Sequence, residues 1–184
     1  MPIYIALLRG INVSGHKIIK MEKLRLVLEE LGFKNISTYI QSGNIIFASD
    51  IKDTTVLEDQ ISATIEEHFG FQVPVTVLVP DDLRSVVEKN PFKNQVIEDP
   101  AQPYVAFLSK KPEAAALETL GSVDFSGDRF INIDKTLYLF YAISAAKTKL
   151  NNVIIENKLK LKATSRNWKT IQKLIELVEQ MPGK

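Results

Sequence analysis

Ile36-Ser37-Thr38-Tyr39-Ile40-Gln41-Ser42-Gly43-Asn44-Ile45-Ile46-Phe47-Ala48 is the stretch on which the fold turns. Ile36 to Gln41 and Asn44 to Ala48 are rich in β-branched and aromatic residues, the composition of strands. Only Ser42 and Gly43 stand between them. A two-residue connection containing glycine suits a tight hairpin, whose backbone must visit positive φ. The stretch therefore reads as two antiparallel strands joined by a short turn.

Working outward, the upstream side supplies an apolar run of strand length, Ile3 to Leu8. After the Gly10 to Lys17 loop, Met21, Leu24, Val27, Leu28 and Leu31 recur at helical spacing, and Gly32 is a natural stop. Downstream, Thr55 followed by Glu58 predicts a capping box. Leu57, Ile61, Ile65 and Phe69 then share one helix stripe, and Val73 to Val79 reads as another strand. The resulting order, βαββαβ, is that of the ferredoxin-like split unit.

The remainder repeats the pattern more loosely. Pro80-Asp81-Asp82 opens a short helix that Asn90-Pro91 ends, and residues 91 to 103 carry three prolines, as a linker does. A strand follows at Tyr104 to Ser109, then a helix from Pro112 to Leu120 with Gly121 as its stop. Arg129 to Ile133 and Leu137 to Tyr141 read as strands turning at Asp134-Lys135. A helix over Leu150 to Asn157 and a short strand around Leu159 to Lys162 come next. The last helix runs from Arg166 to about Gln180, with Thr164 or Ser165 as its cap and Trp168, Ile171, Leu174, Ile175 and Val178 as its buried face. The predicted class is α+β: two tandem ferredoxin-like (βαββαβ-type) halves with an added C-terminal helix. The expected division is 1–80 as the first subdomain, 81–102 as helix and linker, and 103–184 as the second.

Composition narrows the chemistry. The chain has 184 residues, enough for a sizeable core without cross-links. It contains no cysteine, which excludes disulfides, thiolate metal sites and cysteine nucleophiles. No stretch approaches the ~18 apolar residues of a membrane span, and the N-terminus lacks the basic region of a signal peptide. A cytoplasmic protein with no membrane partner is expected. The net charge of +1 is unevenly spread. Lys147 to Lys169 holds seven basic residues against Glu156, a local +6, whereas Asp81 to Asp134 carries −4. Such polarity suits an anionic partner, a small molecule or nucleic acid.

The predicted topology gathers a candidate site. In a βαββαβ unit the first two strands are parallel, so their C-terminal ends share one rim. The first ends at Arg9-Gly10-Ile11-Asn12, the second at Gln41 before Ser42-Gly43-Asn44. Glycine permits close backbone approach, a helix start follows, Lys17 and Lys20 stand beside it, and Arg9 offers a forked donor. The candidate ligand-binding residues of this half are Arg9, Gly10, Asn12, Lys17, Gln41, Ser42 and Asn44. Lys149, Arg166 and Asn167 join them as basic or amide-bearing residues at the two last helix starts. Cations in a first helical turn oppose the macrodipole, which an anion there would offset.

Familiar catalytic patterns fail. Gly10 to Lys17 imitates a phosphate loop, but His16 stands in place of the lysine and Lys17 in place of the magnesium-binding hydroxyl. A phosphate held by a backbone nest is the form that survives. Gln41-Ser42-Gly43 is not a nucleophile elbow. With two histidines and no carboxylate motif at ligand spacing, neither a metal nor another cofactor is expected.

Tyr4-Ile5-Ala6-Leu7-Leu8-Arg9-Gly10-Ile11-Asn12-Val13, Thr38-Tyr39-Ile40-Gln41-Ser42-Gly43-Asn44 and Ser165-Arg166-Asn167-Trp168-Lys169-Thr170 together resemble the bacterial family of unknown function DUF1697. The resemblance spans essentially the whole chain and implies a duplicated ferredoxin-like α+β fold, with no activity, substrate or cofactor attached. It draws attention to Arg9, Asn12, Gln41, Ser42, Asn44, Arg166 and Asn167 without giving them roles. One departure is Ser14, where family members often carry a second consecutive glycine. The expected function is binding of a phosphate-bearing ligand, a nucleotide or single-stranded nucleic acid. The alternative is an enzyme acting on a small phosphorylated or carboxylated metabolite.

Overall fold

In the structure, a computed structural model that describes residues 1–181, eight strands and six helices form two four-stranded antiparallel sheets. The fold is α+β. Two compact units divide it: Met1–Arg84 together with the chain from Lys173 onward, and Ser85–Gln172.

The first unit runs β1 (Ile3–Leu8), α1 (Met21–Glu30), β2 (Lys34–Tyr39), β3 (Asn44–Ala48), α2 (Thr54–Phe69) and β4 (Val75–Leu78). Its sheet order is β2-β3-β1-β4. β1 is antiparallel to β3, and β3 to β2, so β1 and β2 are parallel to one another. Tyr4, Ala6 and Leu8 of β1 and Ile45 and Phe47 of β3 pack with Leu24 and Leu28 of α1 and Leu57, Ile61 and Ile65 of α2. Phe33 stacks on Phe47 with ring centroids 4.5 Å apart. Burying each such side chain contributes roughly 1.5–3 kcal/mol, so this layer is the unit's main source of stability.

Two details correct the sequence reading. β2 ends at Tyr39, and four residues, Ile40 to Gly43, connect it to β3 rather than two. The reason lies in Asn44: its side-chain Nδ2 donates to the Tyr39 carbonyl at 3.0 Å and to Ser42 Oγ at 3.1 Å, closing a wider loop. The capping box at Thr55 and Glu58 is not formed. Asp53 caps α2 by accepting from the Thr55 backbone N–H at 2.9 Å, while Glu58 accepts from Val77 N–H of β4 at 2.8 Å.

The second unit takes up the chain within α3 (Pro80–Glu88), then runs β5 (Tyr104–Leu108), α4 (Ala114–Gly121), β6 (Arg129–Ile133), β7 (Thr136–Phe140), α5 (Asn152–Leu159) and β8 (Ala163–Asn167). The sheet order is β6-β7-β5-β8. Ala106, Leu108, Leu137 and Leu139 pack against Leu120 of α4 and Ile155 and Leu159 of α5. The β6–β7 turn falls at Asp134-Lys135 as expected, with Asp134 at φ 52°.

The last strand lies later than expected. Lys160 takes a left-handed cap at φ 57° after α5, and Ala163–Asn167 pairs with β5 along its whole length. α6 (Trp168–Glu179) follows without a gap. Its cap is therefore Asn167, whose Oδ1 accepts from Thr170 N–H at 2.8 Å, not Thr164 or Ser165. Arg166 belongs to the strand rather than to a helical first turn, so the macrodipole argument does not apply to Arg166, while Lys169 does stand in the first turn of α6.

Candidate functional site

The rim where β1 ends is built from three loops. Leu7 lies opposite Asn44, Tyr39 opposite Asn44, and Leu8 opposite Val75. The ends of β1 and β2 and the starts of β3 and β4 thus meet there. Beyond the ladder, Leu8 N–H donates to the Gly43 carbonyl at 2.7 Å and Arg9 N–H to the Pro74 carbonyl at 3.0 Å.

Asn12 ties the loops together. Its Nδ2 donates to the Ile19 carbonyl at 3.0 Å and to the Gln41 carbonyl at 2.8 Å, and its Oδ1 accepts from Ile19 N–H at 2.8 Å. Sequence positions 29 residues apart are thereby joined directly. The same bonds occupy both polar ends of the Asn12 amide, so Asn12 organises the rim rather than presenting its amide to solvent. Asn44 is fully buried, and both bonds from its Nδ2 hold the hairpin loop. What the rim exposes is Gly10, Lys17, Gln41 and Ser42, with Arg9 half-buried.

The Gly10 to Lys17 segment is not an open nest. Val13 and His16 form an isolated antiparallel bridge across Ser14 and Gly15, both at positive φ, as in a two-residue hairpin. Asn12 N–H donates to the Lys17 carbonyl at 3.1 Å and His16 N–H to the Val13 carbonyl at 2.9 Å, so these amides close the loop on itself. Lys17 Nζ reaches the Gln72 carbonyl at 2.6 Å, bringing in the third loop.

Backbone strain concentrates on this rim. Of the eight non-glycine residues with positive φ among the described residues, four are here: Asn12 at 53°, Ser14 at 50°, Lys17 at 48° and Ile40 at 50°. For a β-branched residue such as Ile40 the left-handed region is a genuine outlier. Gly43, at φ 80°, shows why glycine stands there, since an added Cβ would lie 2.6 Å from Leu8 Cβ and 2.9 Å from Ile11 Cδ1. Three apolar side chains that sequence reasoning missed are also exposed: Val13, Ile18 and Ile40. Each is one residue from the Asn12–Ile19–Gln41 junction. Nothing in their composition distinguishes them from core residues.

The remaining candidates belong to the second unit. Lys149 is exposed in the loop between β7 and α5. Arg166 is 9% exposed, and burial lowers its pKa to about 10. One of its guanidinium nitrogens donates to the Ser165 carbonyl at 2.9 Å. Asn167 caps α6. Among the described residues no group of three His, Asp or Glu side chains is placed to hold a metal. A cavity of about 340 Å³ opens at the other end of β1, lined by Met1, Tyr4, Val79, Asp81, Arg84 and Val178 among others, and no candidate residue lines it.

Residues 1–138 match the model of the family described as protein of unknown function, DUF1697. The chain belongs to the DUF1697 family. The match includes the two motifs around Arg9 and Gln41 and stops before the Ser165 to Thr170 motif, a shorter span than the resemblance implied. This DUF1697 chain is also similar to the solved structure of a conserved bacterial protein from Streptococcus pneumoniae, at 25% identity and a TM-score of 0.71, covering 96% of this chain and 98% of that one. No curated protein matches it. No helix among the described residues is long and apolar enough to cross a membrane.

Proposed function

We propose that this DUF1697 member is a binding protein whose β1 rim holds a phosphate-bearing ligand, a nucleotide or a segment of single-stranded nucleic acid. The observation that carries the reading is the clustering of left-handed, non-glycine backbone at Asn12, Ser14, Lys17 and Ile40, the last three exposed and Asn12 half-buried. Each such residue costs on the order of 1–3 kcal/mol, and strain of this kind collects at ligand sites. The charge of the loops supplies the ligand class. Residues 9–20 contain Arg9, Lys17 and Lys20 and no carboxylate, and 40–44 and 70–76 contain none either. An anion approaching these loops meets cations, amides and hydroxyls, and the carboxylate of Glu66 beside the third loop is engaged by Gln72 Nε2 at 3.1 Å. The exposed Val13, Ile18 and Ile40 offer an apolar surface beside those cations, suited to a base or sugar attached to the phosphate.

The strand orders β2-β3-β1-β4 and β6-β7-β5-β8 support reading each sheet as a ferredoxin-like unit, and a cytoplasmic setting agrees with the absence of cysteine. On this reading the ligand belongs to the first subdomain, 1–80, with Lys149, Arg166 and Asn167 of 103–184 outside the primary contacts.

A thermal-shift screen of nucleotides, sugar phosphates, organic acids and single-stranded oligonucleotides tests the proposal, because a ligand bound to the native state raises the melting temperature by mass action. A phosphate-bearing class should give a rise that the Lys17→Ala, Lys20→Ala double variant loses. No rise with any phosphate compound, or an equal rise in the double variant, defeats it. Turnover of a small metabolite in the same screen would favour the enzymatic alternative instead.

A further inference from the structure

The rim of the first sheet has a counterpart in the second. Leu108 N–H donates to the Lys135 carbonyl at 2.8 Å and Ser109 N–H to the Lys162 carbonyl at 3.0 Å. These repeat the bonds from Leu8 to Gly43 and from Arg9 to Pro74: the end of the unit's first strand reaches past the ladder to both neighbours. Lys162 N–H donates back to Ser109 Oγ at 3.2 Å, so the loops after β5 and before β8 are bonded in both directions. The side chains carried by this frame are Lys110 and Lys111 after β5, Lys135 in the β6–β7 turn, and Lys160 and Lys162 before β8.

All five lysines are exposed, and among the described residues none takes part in an ion pair. Against these five lysines stand Asp134, paired with Lys89 at 3.3 Å, the exposed Glu113, and Glu156, which accepts from Ala163 N–H at 2.8 Å. Lys110 and Lys111 come from the stretch whose net charge is −4, and only the fold brings them to the basic segment that contains Lys160 and Lys162. β7, β5 and β8 are consecutive in the sheet, so the loops lie within about 10 Å of one another, two strand spacings.

We propose that this lysine rim of the second sheet is a contact surface for a nucleic-acid strand, engaged through its phosphodiester backbone. The rim's chemistry argues for that partner over others. Of its other residues, Pro112 and Leu161 are buried, and no large apolar side chain is exposed in 109–113, 134–135 or 160–162. A membrane surface or a protein partner draws on apolar anchors as well as charge, and this rim offers none. A phosphodiester chain requires only closely spaced cations and gains affinity by releasing counterions. The surface is independent of the β1 rim and stands whether or not that rim binds a nucleotide.

The test is fluorescence anisotropy with a fluorescein-labelled single-stranded oligodeoxynucleotide over a salt series, using the full chain. The K110E, K135E, K162E triple variant should weaken binding at least tenfold at low salt. The slope of log Kd against log salt should fall by about two, since each single-strand phosphate contact contributes about 0.7. The K110R, K135R, K162R variant should bind as the unaltered chain does. Absence of binding by the unaltered chain at low salt overturns the proposal, and so does equal binding by the charge-reversed variant. Stronger association with phosphatidylglycerol vesicles than with the oligonucleotide overturns it too. Should charge reversal prevent folding, the glutamine triple variant decides by the same two measurements.

Discussion

At the residue scale, the β1 rim contrasts two left-handed positions in one loop. Gly43 is irreplaceable on steric grounds: a methyl group there meets Leu8 Cβ at 2.6 Å, and φ 80° disfavours any Cβ. Strain of about 1–2 kcal/mol and overpacking of about 1–3 kcal/mol act together. Gly43→Ala should therefore lower stability by roughly 3 kcal/mol in urea unfolding. Ile40 is the reverse case, a β-branched side chain at φ 50° that is half exposed. Ile40→Gly removes strain of about 1–3 kcal/mol while losing some burial and adding chain entropy of about 0.5–1 kcal/mol. Its stability should change by less than about 1 kcal/mol. A loss comparable to that of Gly43→Ala would show that Ile40 packs as a core residue, and the argument from strain to function would go with it. The pair also marks what composition conveys. A glycine between two strand-like runs announces its turn, but an isoleucine forced into the left-handed region looks like any strand residue.

At the element scale, caps are the most direct test. Asp53 is the cap of α2 and accepts from the N–H of Thr55, the second residue of the helix. Asp53→Ala should cost about 1 kcal/mol, whereas Thr55→Ala, at an exposed position, should stay within about 0.5 kcal/mol. The opposite order in chemical denaturation would restore the capping box. The same competition explains which elements were legible. β1, β3 and β5 are apolar runs buried on both faces, and both helices of the first unit show an unbroken apolar stripe, so their periods are unambiguous. β8 reads Ala-Thr-Ser-Arg-Asn, with neither alternation nor an apolar run, and its pairing partner β5 decides its state. Its hydroxyl residues resemble a helix cap locally, which placed the expected cap two to three residues early and the expected helix start two residues early. The candidate site was legible as far as topology reaches, because parallel β1 and β2 must bring Asn12 and Gln41 to one rim. The division of labour within it was not. An amide spent on three backbone groups and one facing solvent are the same letter, Asn.

At the scale of the whole molecule, the chain uses one loop-closing device twice and decorates it differently. The first rim has glycine, four left-handed non-glycine residues and three cations, and the second has five lysines with left-handed backbone at Asp134 and Lys160. Stability is governed elsewhere, by cores that contain neutral phenols. Burial is the largest influence on Tyr4 in the first unit and on Tyr104, Tyr138 and Tyr141 in the second, and it raises all four above the ordinary value. Tyr138 is pushed up to about 12 while its hydroxyl donates to the Val86 carbonyl at 2.9 Å. Between pH 10 and 12 the unfolded chain releases this proton and the folded chain keeps it. The unfolded state then binds fewer protons, so stability must decline as pH rises through that window. Below pH 10 the contribution is fully present. Urea midpoints measured at intervals from pH 8 to pH 12 should therefore be level with respect to tyrosine up to about pH 10 and fall beyond it. Tyr138→Phe should start lower at neutral pH by about 1 kcal/mol, the net worth of the lost hydrogen bond, and descend less steeply above pH 10. Parallel descents in the variant and the unaltered chain would mean that Tyr138 ionises in the native state as freely as in the unfolded one.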